Sequence, residues 1–383
     1  MAAAVSAQPR VTVDGKFFRL GDAKFFIKGV AYGPFAPNAA GEPFASPEQT
    51  ALDLTRIDEL GANVVRVYHV PPRWFLDMAA ERRLKVLVDI PWNKHLCFDS
   101  AQRRQEARDA VRRAVYTTAR HPAIFAYSVG NEIPPDIVRW IGGAAVSDFI
   151  DELVLEAKQA DPQCLCTYTN FPPTEFLDPR CTDFVCFNVY LHHEAAFRNY
   201  LARLQLAADA RPLVLGEFGI DSIREGETRK CEILSWQIEQ SFRGGLAGTV
   251  IFAFTDEWYR DGRMVEGWEM GLTTADRRPR ESFHAVQTQF GQAPYFPLPR
   301  YPRVSVVVAA YNTERTLGTC LGSLRRLNYP DYEVILVDDG STDGTNRIAS
   351  NYPEVRYHRH SSNLGLSAAR NTGIAAATGE IIA

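Results

Sequence analysis

Two spacings of apolar residues take turns along this chain. Residues 11–29, VTVDGKFFRLGDAKFFIKG, alternate apolar and polar positions around Asp14-Gly15 and Gly21-Asp22, which predicts strand–turn–strand. Short, nearly continuous apolar runs follow, each ending in polar or aromatic residues. They are FFIKGVAYG (25–33), ANVVRVYHV (62–70), KVLVDIPW (85–92), IFAYSVGNE (124–132), CLCTYTN (164–170), FVCFNVYLH (184–192), PLVLGEFGI (212–220) and GTVIFAFTDEW (248–258). Between them, stretches such as 47–60, 103–120, 136–160, 225–243 and 277–290 carry apolar residues at helical spacing. A strand covered on both faces reads as a continuous apolar run, so the alternation predicts parallel strands crossed over by helices. Eight such units in about 270 residues predict an α/β fold of the (β/α)8 TIM-barrel type. An open doubly wound sheet is the competing arrangement, but no Gly-rich phosphate loop follows the first strand.

The barrel pattern occupies residues 1–290, including its opening hairpin. Residues 291–303, GQAPYFPLPRYPR, place four prolines in 13 positions, which predicts a stiff linker. Beyond it, residues 304–383 begin a second strand–helix series: VSVVVAAYN (304–312), DYEVILVDDGSTDGT (331–345) and NLGLSAARNTGIAAATGEIIA (363–383). The sequence stops at Ala383 inside a predicted strand, so this series is expected to be an incomplete α/β domain.

Composition narrows the function. Net charge is −4, which gives no basic field for nucleic acid or anionic lipid. Seven cysteines without a C-x-x-C pair point to core or free thiols rather than disulfides or metal ligands. The start, MAAAVSAQPR, lacks the apolar core of a signal peptide, and no apolar run approaches 18 residues. The expectation is a cytoplasmic protein without membrane contact in this stretch; a longer fusion could sit at the inner membrane.

Two glutamates carry the candidate chemistry. Glu132 ends the fourth run and Glu217 the seventh, 85 residues apart, or about three strand–helix units. Active sites of such barrels gather at the C-terminal ends of strands, so the two would face one another across the mouth. Paired carboxylates can divide glycoside cleavage, one protonating the leaving oxygen and the other attacking the anomeric carbon. Read separately, each could equally be a surface carboxylate capping the next helix.

Residues 120–132, RHPAIFAYSVGNE, resemble the acid/base segment of clan A glycoside hydrolases, especially families 2 and 5. LVLGEFG (213–219) resembles their nucleophile strand, and residues 10–290 are similar to their layout, including a hairpin that closes the barrel floor. The resemblance implies Glu132 as general acid/base and Glu217 as nucleophile. It further implies Asn131 on the sugar 2-hydroxyl, Arg66 and Tyr190 holding Glu217 ionised and oriented, and Trp258 on the eighth strand beneath the sugar being cleaved. His69, Trp92, His192 and Asp256 also end strand runs and are further candidates for ligand contact.

Residues 304–383 resemble the opening of a family 2 glycosyltransferase, through VSVVVAAYN, VDDGSTDGT (337–345) and NLGLSAARN (363–371). That resemblance implies Asp338 or Asp339 on the uracil and ribose of a nucleotide sugar. The family's Asp-x-Asp metal site would come just after Ala383. No cofactor is expected for the barrel, and a divalent metal only for a complete transferase. Together these readings predict a retaining β-glycoside hydrolase or transglycosylase on β-glucan-like chains, as the N-terminal part of a polysaccharide-synthesising fusion. The alternative is a glycan-binding accessory barrel with little hydrolysis of its own.

Overall fold

The computed structural model describes residues 9–297 and 300–383. The leader reading of residues 1–8 and Leu298-Pro299 of the expected linker lie outside the described residues. The chain divides into two compact units, one ending at Phe296 and the other starting at Pro297.

The first unit opens with an antiparallel meander of β1 (Val11–Asp14), β2 (Phe17–Leu20) and β3 (Ala23–Phe25). The eight apolar runs then supply eight parallel strands: β4 (Ile27–Ala31), β5 (Val64–Val67), β6 (Lys85–Asp89), β7 (Ile124–Asn131), β8 (Leu165–Asn170), β9 (Val185–Asn188), β10 (Leu213–Phe218) and β11 (Gly248–Ile251). They close in sequence order, with β11 pairing back onto β4. A short ribbon, β12 (Tyr259–Arg260) and β13 (Arg263–Met264), lies in the loop after the last strand.

Helices α1 (Pro47–Glu59), α2 (Arg73–Glu81), α3 (Ala101–Thr118), α4 (Pro135–Ile141), α5 (Gly143–Ala160), α6 (Glu194–Ala208), α7 (Ser222–Glu225), α8 (Glu227–Arg243) and α9 (Glu281–Gln292) fill the connections. The helical stretch expected over 136–160 is broken because Gly142 takes φ +97°, open to glycine but strained for other residues.

Strand side chains sort by parity, as a pleat demands. Val65, Val86, Val88 and Tyr127 pack outward in one large core, while Ile27, Val64, Leu87, Phe125 and Val214 point inward to a second. The meander completes that inner core. Phe18 is fully buried and meets Phe125 and Phe184 edge-on, with ring centroids 5.2 and 5.3 Å away. The floor is thereby closed by side chains, and the barrel opens only at the other end, where the strands stop.

The second unit is a parallel sheet of β14 (Val304–Ala310), β15 (Tyr332–Asp338), β16 (Arg356–Arg359) and the two-residue β17 (Ile381–Ile382), in the order β16-β15-β14-β17. Its helices are α10 (Leu317–Leu324), α11 (Thr345–Ala349) and α12 (Leu366–Ala376). β14 and β15 are the apolar runs expected here and β17 the strand in which the sequence stops, while β16, RYHR, is a polar edge strand that no apolar run announces. Among the described residues no helix is long and apolar enough to cross a membrane.

Candidate active site

The mouth of the barrel holds a cavity of about 520 Å³ whose wall includes Glu132, Glu217, Asn131, His69, Trp92 and Trp258. Six of the residues singled out from sequence are therefore brought together in one place.

Glu217 sits near the end of β10, almost fully buried. Tyr68 donates to Oε1 at 2.9 Å and Tyr190 to Oε2 at 2.9 Å, while the Arg66 guanidinium lies 3.0 Å from Oε1. Both carboxylate oxygens are thus fixed by donors that favour the ionised form. Burial nevertheless wins and raises the Glu217 pKa; the Arg66 charge and the two tyrosine hydroxyls oppose the rise, and the Glu132 charge adds to it.

Arg66 organises this corner. Its side chain is 0% exposed. Nε donates to Asp89 at 2.5 Å, NH1 to Gly216 O at 2.7 Å and Asn188 Oδ1 at 3.2 Å, and NH2 to Asn131 Oδ1 at 3.2 Å. The glycine before Glu217 makes the room: a Cβ on Gly216 would stand 2.6 Å from Cys186 Sγ and 3.0 Å from Arg66 NH1.

Glu132 follows β7 directly. Its Oε1 accepts from Asn188 Nδ2 at 2.8 Å, and Asn188 also donates to Asn131 Oδ1 at 3.1 Å. The two glutamates are therefore linked through Asn188 and Arg66. Glu132 holds φ +49°, the left-handed region that disfavours a side chain, and such backbone outliers collect at working sites.

Other candidates divide. Trp92 spends its indole N–H on Val129 O at 2.7 Å and presents its ring to the cavity wall. His69 also lines it; burial lowers its pKa, and its Nδ1 is buried without a hydrogen-bond partner among the described residues. Trp258 lies beyond the eighth strand rather than on it, with its ring 5.3 Å from Tyr68 and 4.8 Å from Phe252. Phe252, one residue after β11, is the aromatic nearest that strand's end in the cavity wall. His192 binds Gly219 O at 2.8 Å. Asp256 accepts from the Gly271 N–H at 2.8 Å and from Arg280 at 2.6 Å, which ties down its own loop.

Tyr68, Asp89, Asn188, Lys94 and His95 complete the site without having been singled out. The strand period could have found two of them. Tyr68 is two residues beyond Arg66 and Asn188 two before Tyr190, so each shares its neighbour's face. Lys94 reaches back to donate to the Asn131 carbonyl, a loop contact that no period announces.

In the second unit both aspartates of the β15 turn are buried and engaged. Asp338 accepts from the Ser341 N–H at 2.8 Å and Tyr357 at 2.6 Å. Asp339 takes the Leu364 and Gly365 N–H groups at 2.9 and 2.8 Å and contacts His360 at 2.7 Å. These contacts hold the turn in place. Among the described residues no three His, Cys, Asp or Glu side chains gather as a metal-holding group.

Comparison with known proteins agrees with this division. Residues 1–159 match the family described as Glucanosyltransferase, and residues 305–383 match Glycosyl transferase family 2. The β-glucuronidase of Ruminococcus gnavus superposes with a TM-score of 0.64 at 18% identity, over 74% of this chain and 52% of that one. The β-glucuronidase of Faecalibacterium prausnitzii gives 0.64 at 21%, over 76% and 53%. A β-galacturonidase of Eisenbergiella tayi gives 0.61 at 20%, over 74% and 54%. At these identities the likeness concerns the fold.

The C-terminal segment is 48% identical over 85 residues to EpsH of Bacillus subtilis, covering 21% of this chain and 25% of that protein. It is 39% identical over 75 residues to glycosyltransferase GlyA of Streptococcus pneumoniae, covering 19% and 11%. The chain spans about a quarter or less of these curated relatives and about half of the structural ones. The first unit is thus a glycoside hydrolase-like (β/α)8 barrel. It is fused, at residues 305–383, to a segment of a glycosyltransferase family 2 domain.

Proposed function

We propose that the barrel is a retaining enzyme for β-linked, glucan-like chains, acting as hydrolase or transglycosylase within a polysaccharide-synthesising fusion. The observation that carries this is Glu217, whose two oxygens are held by Tyr68, Tyr190 and Arg66 in the cavity that also contains Glu132. A carboxylate so fixed can attack without first reorganising its surroundings.

In the first step a Glu217 oxygen bonds to the anomeric carbon as the bond to the leaving oxygen breaks. Glu132 gives its proton to that oxygen. In the second step water or a sugar hydroxyl attacks the anomeric carbon, loses its proton to Glu132, and Glu217 departs as carboxylate. His69 lines the same cavity, and Trp258 and Phe252 offer rings to a sugar's apolar face. The match to a family named for glucanosyl transfer supports a glucan substrate and a sugar acceptor.

A fluorinated mechanism-based glycoside tests the assignment. Mass spectrometry after proteolysis should find the label on Glu217, and azide should restore turnover to Glu217→Gly with inverted product. Glycan binding without labelling on any glycoside series would favour the accessory-barrel reading instead.

A further inference from the structure

The helix after Glu132 carries a feature the catalytic cavity does not use. Helix α4 begins three residues beyond Glu132 and buries Val138, with Ile137 and Ile141 packed partly against the core. Its opposite face carries Asp136 and Trp140, one turn apart and therefore side by side. Asp136 is close enough to His95, on the cavity wall, for its charge to act on that imidazole. Trp140 is one turn further on and 76% exposed, a large apolar surface to leave in water. The neighbouring loop after β8 supplies a second exposed ring. Phe176 is 64% exposed and lies over the α4–α5 junction, where a Cβ on Gly143 would stand 3.0 Å from it.

We propose that Trp140, with the exposed Phe176 over the end of the same helix, is a stacking platform for a sugar unit on the leaving-group and acceptor side of the cleavage point. The side follows from the chemistry, and so rests on the function proposed above. Glu132 must touch the leaving oxygen, and the residue that delivers the proton is followed directly by α4. A chain leaving Glu132 along the Asp136–Trp140 face would present the flat apolar faces of β-linked pyranose rings to an indole. The occupant is therefore a neutral β-linked oligosaccharide. The platform favours long acceptors and so sugar over water in the second step.

The test uses the full chain. With β-1,3- and β-1,4-linked gluco-oligosaccharides from dimer to hexamer, the loss in kcat/KM for Trp140→Ala should grow with chain length. It should reach about tenfold more on the hexamer than on an aryl monoglucoside, the size of one good aromatic contact. The transfer-to-hydrolysis ratio should fall with it, and Phe176→Ala should show a smaller effect in the same direction. Binding of the hexamer to Glu217→Gln, read by calorimetry without turnover, should weaken about tenfold when Trp140→Ala is added.

A loss equal at all lengths, or unaltered binding, overturns the platform. So does a concentration-dependent dimer of the wild-type chain that Trp140→Ala abolishes, because the ring would then face a second copy. Labelling of Glu217 alongside any of these results leaves the proposed function standing. Turnover absent on every substrate, with Trp140-dependent binding intact, would sink the function and keep the platform.

Discussion

Replacing Arg66 by methionine should cost the barrel more than any other single change at the site. The side chain is fully buried and serves Asp89, Glu217, Gly216 O, Asn188 and Asn131. Methionine fills much of the volume and supplies none of the five contacts. Removing one member of a buried ion pair costs about 3–5 kcal/mol, because the partner charge is stranded. An unsatisfied buried carbonyl adds about 1–3 kcal/mol. The expected loss is at least about 4 kcal/mol, against a usual domain stability of about 5–15 kcal/mol.

The loss should also depend on pH. Burial already raises the Glu217 pKa with Arg66 present, and losing the cation raises it further. A carboxylate whose folded pKa exceeds its unfolded value weighs against the fold above the folded value and ceases to do so below the unfolded one. The deficit should therefore be largest near pH 8 and shrink toward pH 5. Urea unfolding followed by tryptophan emission measures it, since all six tryptophans, the last at Trp268, lie in the barrel unit. A deficit under about 1.5 kcal/mol, or one flat across pH, would refute the reasoning.

The same sign applies to Glu217→Gln, which removes a charge that burial disfavours. Its melting temperature should exceed wild type at pH 7.5, with the gain fading toward pH 4; a gain that persists unchanged in acid would mean another cause. Glu132→Gln should lower kcat/KM by about 10²–10⁴-fold on glycosides with poor leaving groups and far less on activated aryl glycosides, and equal losses on both would remove the acid role. Phe18→Ala should cost about 3–5 kcal/mol in urea unfolding while leaving kcat per folded molecule intact, because the ring plugs the floor far from the mouth; an altered kcat would show that the two ends communicate.

The barrel was legible because its signal is repetitive. Each strand is covered on both faces, so each appears as an apolar run, and eight runs leave few alternatives. The carboxylates were legible because they end such runs. What escaped has two physical causes. Lys94 and His95 sit in a loop, where no period constrains side-chain direction. The strand β16 illustrates the other cause: it lies at the edge of its sheet and its polar sequence RYHR forms no apolar run. Trp258 was placed on the eighth strand from its position in an apolar run, but β11 stops at Ile251 and the ring reaches the cavity from the following loop.

Glu132 stands where the backbone itself would prefer glycine, since it adopts φ +49°. On stability alone, drift at this position should run toward Gly or Asn, which relax the backbone at almost no steric cost. A barrel kept only to hold a glycan would have no reason to resist that drift. Related fusions that carry Gly or Asn here, with Glu217 also replaced, would then mark lineages whose barrels have retired from catalysis. The residue thus serves as a gauge, readable from sequence, of whether selection in a given lineage still acts on turnover.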